Sequence, residues 1–129
     1  MTEMTSTPTT REYLLDSLAE SKDARTRAYA AYRGREIDKL VNDPASEVRA
    51  AVARGGHSLY KLVNDPAPEV RAAVASSTNS LSQLDKLASD PAPEVRAVVA
   101  LRKGYCVQMI NDEDPTVQAV AWWALDHGV

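Results

Sequence analysis

The sequence contains no phenylalanine and a single cysteine, Cys106, and aromatic residues make up 5% of its 129 positions. A lone cysteine excludes an internal disulfide framework and any all-cysteine metal or iron–sulfur site within one chain. With so few aromatics, the 44% apolar content rests on Ala, Val and Leu, which suits close helix–helix contact better than one large globular core. No apolar run approaches the roughly 18 residues of a membrane span. The first residues have no basic region leading into an apolar run, so no signal peptide is read there. Residues 1–8 are polar and threonine-rich and are expected to form a disordered tail. The protein is accordingly expected to be cytoplasmic, with no membrane contact. The net charge of −3 is too small for bulk charge to argue for nucleic acid. The two histidines, His57 and His127, have no sequence-local partner, and no glycine-rich phosphate loop is present; Gly55-Gly56 reads as a tight turn. These absences leave no catalytic residue, metal or cofactor to assign, and the chain is expected to be non-enzymatic.

What is present is a repeat. Asp90-Pro-Ala-Pro-Glu-Val-Arg-Ala-Val-Val-Ala100 occurs almost unchanged at 65–75 and 43–53, and in decayed form at 112–122. The leading aspartates, Asp43, Asp65, Asp90 and Asp112, are spaced 22, 25 and 22 residues apart, a period that marks a solenoid. Stepping back 22 residues from Asp43 lands on Ser21, so the chain divides into five repeats at about 10–31, 32–53, 54–75, 76–100 and 101–129. Each repeat opens with an i, i+3, i+4 apolar face: Leu15/Leu18/Ala19, Ile37/Leu40/Val41, Leu59/Leu62/Val63, Leu84/Leu87/Ala88 and Cys106/Met109/Ile110. This predicts a short first helix of little more than two turns, in places 3₁₀. Thr9 and Glu12 form a capping-box pattern at the first of them. From the second repeat on, an Asp, usually Asp-Pro, ends the first helix. A second helix follows, with Pro and Glu47, Glu69 or Glu94 in its first turn. Its inward face is Val48/Ala51/Val52 and the equivalents. Terminal repeats depart from the pattern: Ser21 replaces Asp in the first and Gln118 replaces Arg in the last, as expected where one side has no neighbouring repeat.

The motif Leu-x-x-Leu-Ala-x-Asp-Pro-x-x-Glu-Val-Arg-x-x-Val-Ala, closest over residues 81–100, resembles the leucine-rich repeat variant family and, more loosely, HEAT-like repeats. The resemblance covers about 110 residues. It implies alternating α and 3₁₀ or short α helices in a right-handed all-α solenoid. A known family member carries an iron–sulfur module, which does not carry over to a chain with one cysteine. The family implies no common activity, and such solenoids usually serve as binding surfaces.

Several residue sets could carry that binding. Asp43/Arg49, Asp65/Arg71 and Asp90/Arg96 recur at i, i+6 and read as a structural ladder. In it each Asp caps the second helix and bonds an Arg of its own or the next repeat. The turns between first and second helices are acidic. Those leading to the next repeat carry Arg33, Arg35, Arg54, His57, Arg102 and Lys103, with Tyr32 and Tyr105. Helix-dipole compensation accounts for this asymmetry; the sharper reading is that the basic, tyrosine-flanked edge meets an anionic partner. Ser76–Ser80 interrupts that edge. Lys39, Lys61 and Lys86 read as a solvated column. Trp122 and Trp123 are adjacent and cannot both face inward, so one is expected to seal the last repeat and the other to be exposed for dimerisation or partner contact. Cys106 takes a core position. The expected function is binding of another macromolecule. A protein partner comes first, as an adaptor, regulator or inhibitor (a bacterial or phage inhibitor of a larger enzyme fits the size). Nucleic-acid binding through the basic edge is the alternative, and a homo-oligomer closed through the Trp helix is a further one.

Overall fold

A computed structural model describes residues 9–129; the tail expected over residues 1–8 lies outside the described residues. The described chain is all-helical, ten helices and no strand. The five first helices are α1 (Thr10–Leu18), α3 (Ile37–Leu40), α5 (Leu59–Leu62), α7 (Leu81–Leu87) and α9 (Cys106–Met109). The five second helices are α2 (Ala24–Tyr32), α4 (Ser46–Arg54), α6 (Pro68–Ser77), α8 (Pro93–Ala100) and α10 (Pro115–Asp126). Three of the first helices span only four residues, shorter than the two turns expected, because two helices and two turns share each 22-residue repeat. The second helices pack in order, α2 on α4, α4 on α6, α6 on α8 and α8 on α10, with each first helix against its own second helix. This is a helical-repeat solenoid whose continuous core lies between successive second helices.

Local chemistry sets the helix limits. The capping box at α1 forms as its sequence predicts: Glu12 N–H donates to Thr9 Oγ1 at 3.2 Å, and Thr9 N–H donates to Glu12 Oε2 at 2.6 Å. Pro68, Pro93 and Pro115 occupy the first position of α6, α8 and α10, where the missing N–H has no helical partner to lose. The turns into α3 and α5 repeat one backbone path. Gly34 and Gly56 adopt φ of +79° and +81°, and Glu36 and Ser58 two residues on adopt φ of +52° and +53°. The three extra residues of the fourth repeat appear as a longer first helix, seven residues in α7 against four in α3 and α5. There the positive-φ turn is replaced by buried Thr78, whose hydroxyl bonds Gln83 and accepts from Ser80 N–H at 3.0 Å.

The core is built from valine and leucine: Val48, Val52, Val70, Val74, Val95, Val99 and Val117, with Leu40, Leu62 and Leu87 from the first helices, are shut off from solvent. Each such side chain contributes on the order of 1.5–3 kcal/mol. The tenth residue after the aspartate position is Ala31, Ala53, Ala75 and Ala100 in successive repeats, all at 0% exposure. A methyl group buries little area; its role is to let neighbouring helices approach.

Candidate functional site

The ladder is the most regularly repeated polar feature. Each arginine reaches forward to the next repeat in a bidentate pair: Arg27 to Asp43 at 2.8 and 3.0 Å, Arg49 to Asp65 at 2.8 and 3.1 Å, Arg71 to Asp90 at 2.7 and 2.9 Å, and Arg96 to Asp112 at 2.9 and 2.9 Å. The remaining guanidinium nitrogen donates back to the carbonyl of its own repeat: Ser21, Asp43, Asp65 and Asp90, at 2.7–2.9 Å. The i, i+6 spacing thus records the backbone contact, while the carboxylate belongs to the neighbour. The aspartates do not cap the second helices. Each accepts from the amide two residues on, 2.9 Å from Ala45, Ala67, Ala92 and Asp114. This closes an Asx turn before the helix begins. Burial pushes the Asp43, Asp65 and Asp90 carboxyls up, but the arginine bonds, the turn amide and the flanking positive charges outweigh it and hold them below the usual carboxylate range. At Asp112 the Arg96 bond dominates, with the same result.

A second set of inter-repeat contacts was not read from the sequence. Lys39 Nζ donates to Glu20 Oε1 at 2.5 Å, Lys61 to Asn42 Oδ1, and Lys86 to Asn64 Oδ1. The lysine column is exposed, as expected of a solvated face, yet each head group is tied to the preceding repeat. The signal was available: Asn42 and Asn64 each directly precede a ladder aspartate at the same period as the lysines.

The basic edge dissolves as a unit. Arg35 pairs with Asp16 at 2.8 Å, with Glu12 at 3.9 Å, because α1 places both acids over the turn into α3. Arg102 donates to the Ala75 carbonyl at 2.7 Å, filling the gap left by the Ser76–Ser80 segment. Tyr105, expected on the exposed edge, is buried, and its hydroxyl donates to Asp85 Oδ1 at 2.7 Å; that bond, with burial, raises the phenol pKa. His57 is half-buried, its ring against Gly34 and Gly55. A methyl on Gly55 would stand 2.7 Å from the Tyr32 carbonyl oxygen and 2.9 Å from the ring, so glycine there is a packing requirement. Arg33 is exposed but donates to the Tyr29 hydroxyl at 3.1 Å, its guanidinium 5.9 Å from that ring centroid. Arg54 and Lys103 are exposed and enter none of the ion pairs among the described residues.

The tryptophans also depart from expectation. Neither seals the last repeat: Trp122 is 49% exposed and Trp123 52%. Val117, Ala121 and Ala124 close the core beneath them. Trp123 stacks on His127, ring centroids 4.1 Å apart and 19° from parallel, and walls a shallow depression of about 440 Å³ with Leu101, Ala119 and Val120. Cys106 is buried in the core.

These placements leave one register exposed in every repeat. The eleventh residue after the aspartate position is Tyr32, Arg54, Ser76, Leu101 and Trp123 in the five repeats, and every one is exposed. Since successive second helices pack side by side, the five form a column along the solenoid. It is aromatic at both ends, cationic near the first and apolar near the last. Among the described residues no cluster of His, Cys, Asp and Glu could hold a metal ion, and no helix is long and apolar enough to cross a membrane. Comparison with protein-family models finds no family that matches the chain, and comparison with curated proteins finds no match.

Proposed function

We propose that this solenoid is a binding module of the adaptor, regulator or inhibitor class. Its partner is a protein held along the column Tyr32–Arg54–Ser76–Leu101–Trp123. The exposed side chains on that column carry the proposal. Tyr, Arg and Trp are the residue types that dominate protein–protein binding energy when buried by a partner, and three of the five positions hold them. The depression beside Leu101 and Trp123 supplies a socket for an apolar side chain. The ladder and lysine contacts fix the repeats relative to one another, so little ordering is needed on binding. The leucine-rich repeat variant resemblance fits this class of role, since such solenoids usually serve as binding surfaces. Nucleic acid is less well served: of the edge cations, Arg35 and Arg102 are engaged within the chain.

A capture experiment from host lysate tests the proposal, using wild type, Arg54→Glu and Leu101→Asp, with and without nuclease and at two salt concentrations. A discrete protein lost with both variants, at unchanged helical content, supports it. Nuclease-sensitive capture that disappears at high salt would replace it with nucleic-acid binding through Arg33, Arg54 and Lys103. Equal capture by all three proteins would rule out the column.

A further inference from the structure

The outward face of the second helices changes character along the stack. The fourth, eighth and eleventh residues after the aspartate position stand at i, i+4 and i+7, on one side of each helix. In α2 they are Arg25, Tyr29 and Tyr32, all exposed, and Arg33 adds a further cation beside the Tyr29 ring. The fourth position is then Glu47, Glu69 and Glu94 in α4, α6 and α8, each exposed in the first turn. At the far end the eighth and eleventh positions are Val98 and Leu101 in α8, then Val120 and Trp123 in α10. The face opens cationic and aromatic, passes a row of glutamates and closes apolar.

The two ends suit different chemistry. Arg25, Arg33 and Arg54 enter none of the ion pairs among the described residues. α2 contains no acid and α4 a single one, Glu47; Asp23, just before α2, accepts from the Thr26 hydroxyl at 2.8 Å. The depression at the other end has no charged residue in its lining. Both ends are ordered in advance, Tyr29 by the Arg33 bond and Trp123 by its stack on His127, which lowers the cost of binding. Between them Ser76 offers only a hydroxyl. A polyanion laid along the whole face would have to pass Glu69 and Glu94, so negative charge is welcome at one end only.

Resting on the partner-binding reading of this column, we infer that the partner presents a short linear segment of defined order. Carboxylates at one end sit over Arg25, Arg54 and Tyr32, where guanidinium groups can pair with them bidentately. An apolar side chain at the other end enters the depression beside Leu101 and Trp123. Arg54 and that depression lie two to three helix spacings apart, roughly 20–30 Å at about 8–10 Å per packed pair. An extended chain rising about 3.3 Å per residue covers this in about six to nine residues. The order sets which end of the segment meets which end of the solenoid.

Selection from a displayed library of random peptides of about twelve residues, panned on the wild-type protein, tests it. The expected binders carry Asp or Glu at one end and a large apolar residue about six to nine positions away. They should bind Arg54→Glu at least about tenfold more weakly. Selection on Arg54→Glu should weaken the acidic preference and keep the apolar one; selection on Leu101→Asp should do the reverse. Circular dichroism should show both variants folded. Binders that are lost with both variants but lack this order would overturn the segment and leave the column standing. Binders indifferent to both variants would remove the column, and the segment with it. Recovery of no binder would also overturn the inference, since a linear segment would then not suffice.

Discussion

The seams between repeats two, three and four and the outer side of the fifth are built on the same helical register, yet treat it in opposite ways. Inside the stack, the tenth position after the aspartate is an alanine closed over by its neighbour, and the sixth is an arginine locked to the next repeat's aspartate. On the last helix the same two positions hold Trp122, half exposed, and Gln118. Bulk and charge at one register thus differ with what packs against it, so the role of a residue here is set by its neighbour in space more than by its type. Arg49 and Arg54 make the same point on one helix: the first is held in a bidentate pair, the second enters no ion pair among the described residues.

That comparison can be broken most severely by exchanging the seam residues. Ala75→Trp forces the last repeats off the first three, and loss of cooperative folding is expected, beyond the ~1–3 kcal/mol of ordinary overpacking. Trp122→Ala, the reverse change at the same register, should leave the melting temperature within a few degrees of wild type. Chemical denaturation of both measures the contrast. Next in size, Asp65→Ala leaves Arg49 without its carboxylate and Ala67 N–H without its turn acceptor, at an expected cost of about 3 kcal/mol. Gln118→Ala should cost less than about 0.5 kcal/mol.

Acid should act on the interior seams together. The ladder aspartates are held below their ordinary carboxylate pKa in the folded chain. Their stabilisation is therefore complete above the unfolded value near 4 and is lost as pH falls through the lower folded values. A denaturant midpoint flat from about pH 5 to 7 and falling below about pH 4 is expected, and the Asp65→Ala variant should show a shallower acid limb. The smallest effect belongs to Arg54→Glu: stability within about 0.5 kcal/mol of wild type, with any consequence confined to partner capture.

Much of this architecture was legible in the sequence, because repetition turns a tertiary contact into a spacing. The five helix pairs, the inward valines and the existence of an Asp–Arg ladder all follow from one period. What a single period cannot supply is which neighbour a side chain reaches. Asp16 and Asp85 gave no local sign that they hold Arg35 and Tyr105, since those pairs join different repeats through positions outside the motif. The adjacency of Trp122 and Trp123 excluded both from the core side by side. It could not show that smaller residues, Val117, Ala121 and Ala124, already fill the core, leaving both indoles outside. The lysine contacts leave a signal of a different kind: the register Lys39–Lys61–Lys86 gains meaning only when set against Glu20–Asn42–Asn64.

The fourth repeat is three residues longer than its neighbours, and the addition is absorbed in α7 and the turn before it. The ladder pair across it, Arg71 to Asp90, is separated by 19 residues against 16 for Arg49 to Asp65, yet closes with the same bidentate geometry. Repeat length and repeat packing are therefore uncoupled at this turn. A chain that tolerates nearly one added helical turn there without disturbing either seam offers an insertion point at exposed Asn79, beside the buried Thr78 that anchors the turn. A loop, epitope or second module placed there would pay only the slowly growing entropy of a longer connection.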